Sequence, residues 1–238
     1  MKTLGLIGGT SWVSTVDYYK IINQQVNERL GGLNSAKILL YSLNFEEFKP
    51  PPDPKDWGPV ADMLSSIAQR LANGGAECIV ICANTPHIAA DTVQQRIRIP
   101  LIHIADATAR EIAKQKLSSV GLLGTKFTME QLFFKERLSR LGITALIPGD
   151  MERDFIHSSI FAELAKGVFK HETKNKYLAI IEDLERKGAN GIIFGCTEIP
   201  LLIKQTECKS PIFDTTLIHA KSAVDFALSD EIVAHQYD

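Results

Sequence analysis

Basic charge is not in surplus in this 238-residue sequence: Lys+Arg 26 stand against Asp+Glu 28, a formal charge of −2. A sequence-independent grip on nucleic acid draws on a surplus of cations that release counterions from phosphate, so no nucleic-acid partner is expected. No apolar run approaches the roughly 20 residues of a membrane helix, and no membrane partner is expected either. The stretch Met1 to Gly9 carries a lysine and an apolar run but breaks at once into glycine. It is too short for a signal-peptide core and reads as a first strand. Cysteine is scarce, with four residues (Cys78, Cys82, Cys196 and Cys208) and no C-x2-C pair. They read as thiols of a reducing compartment, which makes the cytoplasm the expected location. Cys78-x3-Cys82 with His87 beyond is the nearest approach to a metal motif, yet both cysteines fall in a buried-strand pattern, and no metal is expected. The turn Gly5-Leu6-Ile7-Gly8-Gly9-Thr10-Ser11 does not spell G-x-G-x-x-G, and no Walker lysine follows; a nucleotide site is disfavoured.

What is present is ordinary globular material: 45% hydrophobic and 23% charged residues, near the average for soluble domains. Short, continuous apolar runs bounded by glycine alternate with helical stretches. Strands are expected at Thr3–Gly8, Ala36–Leu43, Glu77–Ala83 and Leu101–Ile104, with helices at about Ser14–Leu30 and Pro59–Asn73. Strands without polar alternation belong in parallel sheets covered on both faces. The pattern then restarts. Val120-Gly121-Leu122-Leu123-Gly124-Thr125 echoes Leu4 to Thr10, and Phe133-Phe134-Lys135 echoes Tyr18-Tyr19-Lys20. Gly188 to Glu198 echoes Gly75 to Thr85, and Pro100 and Pro211 open similar strands. These matches keep their order at a nearly constant offset of about 115 residues, the mark of an internal duplication. The expected architecture is α/β: two similar lobes, each a parallel sheet flanked by helices. The first lobe is expected over residues 1–104 and 208–238 and the second over 105–207, with a site in the cleft between them. Pro50-Pro51-Pro52-Asp53-Pro54 is expected to be a stiff, extended surface stretch.

In open parallel sheets, ligands bind beyond the carboxyl ends of the strands. Two segments fall there: Ala83-Asn84-Thr85 and Cys196-Thr197-Glu198. Small polar groups and free N–H donors at such turns suit a carboxylate, and the Gly8–Ser11 turn with the Thr10 and Ser11 hydroxyls suits a small anion. Cys196, flanked by Gly195 and Thr197, is the candidate reactive thiol, with a lowered pKa expected from nearby N–H groups. His87 is open to three roles: ligand, acid/base, or a structural residue at a helix start.

Three of these motifs together, Gly-Leu-Ile-Gly-Gly-Thr-Ser-Trp near the start, Ala83-Asn84-Thr85-Pro86-His87 and Gly195-Cys196-Thr197-Glu198, closely resemble the aspartate/glutamate racemase family. The resemblance runs from about residue 2 to residue 227 and is strongest to bacterial broad-specificity racemases of L-aspartate and L-glutamate. It implies cofactor-independent racemisation of a small acidic amino acid in a homodimer. In that chemistry two thiols act on opposite faces of Cα, one removing a proton and the other returning one. The residues carried over are Cys196 as a catalytic thiol, with Thr10, Ser11, Asn84, Thr85, Pro86, Thr197 and Glu198 binding substrate. The family's first cysteine, however, is Ala83 here, and the repeat agrees: the offset carrying Gly75 to Gly188 carries Ala83 to Cys196. Cys82 lies one residue early, where strand alternation turns it to the other face. Relatives also grip the side-chain carboxylate with basic or amide groups at positions that here read Phe48, Pro51, Pro52 and Ala165. Lys49, Lys55 and Lys166 are the nearby cations, each read as a solvated surface lysine. The same residues leave two alternatives: a single-thiol decarboxylase or isomerase, and a non-catalytic binder of an acidic metabolite.

Overall fold

The computed structural model describes residues 1–48, 53 and 56–229; Lys49, Pro50, Pro51, Pro52, Pro54, Lys55 and residues 230–238 lie outside the described residues. The chain divides into two compact units: Met1–Ile104 with the segment from His219, and Ala105–Ile218.

The first unit holds β1 (Leu4–Gly8), α1 (Trp12–Leu30), β2 (Ile38–Ser42), α2 (Gly58–Asn73), β3 (Cys78–Ile81), α3 (Ala90–Arg96) and β4 (Leu101–Ile102). Its four strands run parallel in the order β2-β1-β3-β4. β1 and β3 are buried at every residue, as central strands covered on both faces must be. Tyr18, Ile22 and Val26 recur at helical spacing and bury one stripe of α1 in a cluster with Leu4, Leu6, Cys78, Val80 and Cys82. On α2, Val60, Leu64, Ile67 and Leu71 form the corresponding stripe.

The second unit holds α4 from Ala105 (Ile104–Lys114), β5 (Ser119–Gly124), α5 (Lys126–Glu130), α6 (Leu132–Ser139), β6 (Thr144–Leu146), α7 (Asp150–Ala162), α8 (His171–Arg186), β7 (Ile192–Gly195), α9 (Ile199–Leu202) and β8 (Ile212–Asp214). Its parallel sheet has the order β6-β5-β7-β8. Around it pack Ile156, Ile160, Tyr177, Ile180, Ile181, Leu184 and Phe194.

The duplication extends to the register. Gly5 stands opposite Ile79 and Ile7 opposite Ile81 in the first sheet. In the second, Gly121 stands opposite Ile192 and Leu123 opposite Phe194. Each pair maps onto the other under the sequence repeat, so Ala83 and Cys196 each come two residues after matched positions, Ile81 and Phe194.

The chain leaves the second unit later than the expected residue 208, because β8 pairs with β7 and keeps the intervening segment. The transfer falls inside α10 (Thr215–Ala227). Beyond His219 its Ala220, Ala223, Val224 and Ala227 join the core of the first unit, and Lys2 N–H donates to Ala227 O at 2.9 Å. Strands β2, β3 and β4 are each shorter than the apolar runs that announced them. Ile104, expected to end a strand, opens a helix instead. No helix among the described residues is long and apolar enough to cross a membrane.

Candidate active site at the two strand ends

The first strand end is built from backbone turns. Gly9, just past β1, has φ +88°, and a Cβ there would sit 2.1 Å from Leu43 O. Only glycine permits this approach. Next to it, Ser11 caps α1, its Oγ accepting from Ser14 N–H at 3.4 Å while its carbonyl accepts from Ser14 Oγ and Thr15 Oγ1. Thr10 is 8% exposed, and its hydroxyl has no hydrogen-bond partner. A buried hydroxyl left this way costs roughly 1–3 kcal/mol, a deficit a ligand acceptor would offset.

Beside it, β3 gives way to Cys82, whose N–H still donates to Ile7 O at 2.9 Å. Cys82 is fully buried in the core, and burial pushes its thiol far up from 9.0. Ala83 is half-buried, Asn84 and Pro86 are buried and Thr85 is half-buried. A short 3-10 turn over Thr85–Ala89 follows. His87 Nδ1 lies 2.8 Å from Ala83 O; a carbonyl only accepts, so Nδ1 carries the proton. The ring packs edge-on against His103 and His219, with centroids 4.7 and 5.3 Å away. His219 Nε2 donates to Ile102 O at 2.7 Å, leaving its Nδ1 to accept from Tyr18 O–H at 2.8 Å. Of the roles left open for His87, the geometry shows a structural one, holding the Ala83 carbonyl. The Cys82 thiol faces Val80 O, 3.8 Å away.

The second strand end is equally tight. Gly124 and Gly195 face each other across β5 and β7, and a Cβ on Gly195 would meet Leu123 O at 2.9 Å. Cys196 follows, half-buried. Its thiol donates to Glu198 Oε2 at 3.0 Å, and the Thr197 hydroxyl donates to the same oxygen at 2.7 Å. Glu198 is 6% exposed. The backbone N–H groups of Thr197 and Glu198 also bond the sulfur and favour its anion, as the sequence led us to expect. They are outweighed. Desolvation first, then the Glu198 charge and its hydrogen bond, hold the thiol well above 9.0, so the resting group is S–H rather than a thiolate. With only four residues in α9, little helix dipole is available to oppose this.

Sequence patterning did not single out Tyr177. It lies on the buried face of α8 with Ile180, Ile181 and Leu184, a spacing that reads only as core. Its hydroxyl pairs with Ser159 Oγ at 3.0 Å. Burial pushes its pKa up and so disfavours its ionisation, and the charges of Cys196, Glu163 and Glu198 add to that. Ala165 and Lys166, considered for the side-chain carboxylate, are exposed on a short turn, whereas Phe48 is buried.

Thr10 and Ser11 follow β1, and Ala83 to Pro86 follow its neighbour β3, in the first unit, while Cys196 to Glu198 lie in the second. A family model described as Asp/Glu/Hydantoin racemase matches residues 7–223. The chain belongs to the Asp/Glu/Hydantoin racemase family. Within it, the chain is similar to the broad-specificity amino-acid racemase RacX of Bacillus subtilis (strain 168), 26% identical over 162 residues, covering 68% of this chain and 70% of that one. A crystal structure of a candidate Asp/Glu racemase from Yersinia pestis superposes with a TM-score of 0.90 at 48% identity, covering 96% of this chain and 100% of that one. An aspartate racemase homologue from Pyrococcus horikoshii OT3 gives 0.83 at 37%, covering 95% and 99%. The two parallel four-stranded sheets of this racemase-family chain match the two-lobed fold of these relatives, and membership supports a racemase-type enzyme acting on an amino acid.

Proposed function

We propose that the chain moves the α-proton of a small acidic amino acid, aspartate or glutamate, without a cofactor, using Cys196 as its one thiol acid/base. The observation that supports this reading is a pair of equivalent positions: the sequence repeat, whose matched strand residues include Ile81 and Phe194, sets Ala83 against Cys196. A methyl cannot carry a proton, so proton traffic is confined to the face of Cα that Cys196 serves.

In this reading Cys196 removes the α-hydrogen and returns it to the same face. The costly species is the carbanion, which needs its carboxylate held by fixed donors. Asn84, Thr85 and the Gly8–Ser11 turn supply them, with the buried Thr10 hydroxyl the best placed energetically because no protein acceptor satisfies it. Thr197 and Pro86 line the substrate's surroundings. A homodimer of cytoplasmic enzyme completes the proposal. Ala83 also favours a second reading, a decarboxylase or isomerase that protonates a carbanion from one face only.

Deuterium wash-in at Cα tests the proposal, with each enantiomer of aspartate and glutamate supplied in D2O. Label entering at least one of them is the expected result. Tight binding of all four with no label in any would overturn it in favour of a non-catalytic binder.

A further inference from the structure

The first strand end leaves its ladder at Cys82, and the carbonyls that follow take their donors from outside the sheet. Cys82 O accepts from Ser14 Oγ on α1 at 3.3 Å. Ala83 O accepts from His87 Nδ1 at 2.8 Å, and Asn84 O accepts from His87 N–H at 3.0 Å. His87 thus holds two consecutive carbonyls of the turn. Its peptides are trans, so in the planar Ala83–Asn84 unit the Asn84 N–H points opposite to the Ala83 carbonyl. Fixing one end of that peptide dipole fixes the other. The ring that does so is itself confined. It packs edge-on against His103 and His219, and all three are buried. His219 in turn is pinned between Ile102 O and the Tyr18 hydroxyl. Residues from α1, α10 and the ends of β3 and β4 therefore meet around one carbonyl.

We propose that His87 is a positioning residue: by holding the Ala83 carbonyl it aims the Asn84 N–H as a fixed donor for the substrate carboxylate, while His103 and His219 hold its ring. This inference rests on the proposed binding of that carboxylate at Asn84 and Thr85. Charge moves onto the carboxylate as Cα becomes a carbanion, so a donor fixed in advance contributes more in the transition state than in the bound ground state. His87 touches no reacting atom and transfers no proton in this role. It needs only the Nδ1–H that the Ala83 carbonyl accepts. The assignment also gives α10 a part in the first strand end. His219 reaches the ring because the chain returns to the first unit within that helix, so residues 1–104 alone lack one wall of its setting.

The test substitutes His87 in three ways. His87→Phe keeps a ring and removes the donor. His87→Gln keeps an amide but carries it out to where Nε2 lies, whereas His87→Asn sets an amide N–H near the Nδ1 position. Four quantities are read for each: the carbon-13 carbonyl signal of Ala83 without substrate, the melting temperature, the affinity for aspartate and glutamate, and kcat and KM for α-hydrogen exchange. His87→Phe and His87→Gln are expected to displace the Ala83 signal and to lower kcat about 10²-fold, the scale of a misplacement of roughly 1 Å, with KM changed less. Should His87→Phe not fold, His87→Gln carries the comparison alone. His87→Asn is expected to keep the signal and most of the rate, although its smaller side chain lowers the melting temperature. A rate that follows melting temperature rather than the donor would overturn the proposal and leave a packing role. So would an unchanged kcat in a variant whose Ala83 signal has moved. If wild type binds aspartate or glutamate without exchange, the α-proton reading falls and affinity takes the place of kcat. Binding weakened in His87→Phe and kept in His87→Asn then supports the positioning role, and equal binding in both overturns it.

Discussion

The two strand ends are built alike and equipped differently. Both leave a buried parallel strand that pairs in the same register, and both place a half-buried residue two positions after the matched Ile81 and Phe194, Ala83 in one and Cys196 in the other. The offset that relates them also relates Thr85 to Glu198 and His87 to Pro200. The first end thus lacks both the thiol and its carboxylate. In their place it has a buried histidine holding the Ala83 carbonyl, backed by two more histidine rings. Duplication conserves backbone geometry through packing and glycine, while the chemistry is free to diverge at single side chains. In the proposed reading one end keeps the reactive group and the other keeps only the frame.

The largest effect that separates the two ends is expected from deleting the thiol. Cys196→Ala should lower α-hydrogen exchange by at least about 10²- to 10⁴-fold, measured by mass spectrometry of substrate in D2O. Cys82→Ala should leave most of it, because that thiol is fully buried among core residues. Inactivation by Cys82→Ala instead would make Cys82 the surrogate carrier for the first end.

A smaller effect concerns how an added thiol ionises. In an Ala83→Cys, Cys196→Ala double variant, the residue two positions beyond the introduced sulfur is Thr85 rather than a carboxylate. The introduced thiolate should therefore appear at lower pH than that of Cys196, which burial and Glu198 hold well above 9.0. Absorbance titration of the two proteins checks the order of the midpoints.

Packing at the ends gives a stability contrast. Gly195→Ala places a methyl 2.9 Å from Leu123 O and should cost about 1–3 kcal/mol, the usual range for overpacking, with a lower melting temperature. Gly31→Ala, where a Cβ meets nothing within 4 Å, carries only the strain of its positive φ and should cost less.

The smallest effect is on pH dependence. Desolvation chiefly raises Cys78 from 9.0 to about 12, so the folded state favours its protonated thiol more than the unfolded chain does. The stability this contributes is fully present below pH 9 and is lost as the pH rises from there towards 12. Cys78→Ala should flatten the decline in melting temperature across that window.

Much of this frame was readable beforehand. Glycines at Gly5, Gly8, Gly121 and Gly124 and the uninterrupted apolar runs mark strands that tolerate no side chain on one side and no water on either. That is why the repeat, the two sheets and the candidate turns were visible. The exit from the second unit was not, since the β8 segment Ile212-Phe213-Asp214 and the small-residue face of α10 have no period that says which core they join. Nor was the state of Cys196. Residue types at 196–198 suggested N–H donors and a thiolate, but whether the Glu198 carboxylate turns towards the sulfur depends on side-chain torsions that sequence does not encode. Tyr177 was hidden for a similar reason: on a buried helical stripe, a tyrosine counts as bulk until its hydroxyl is seen to have a partner.

The central claim is that one face of Cα is served and the other is not. It is tested most directly by following, in one D2O experiment, the rate of Cα label uptake and the rate of racemisation from each enantiomer, in wild type and in Ala83→Cys. The account predicts that wild type labels one enantiomer roughly 10²- to 10⁴-fold faster than it racemises it, and that Ala83→Cys brings the two rates together. Equal and rapid racemisation of both enantiomers by the unmodified protein would contradict it.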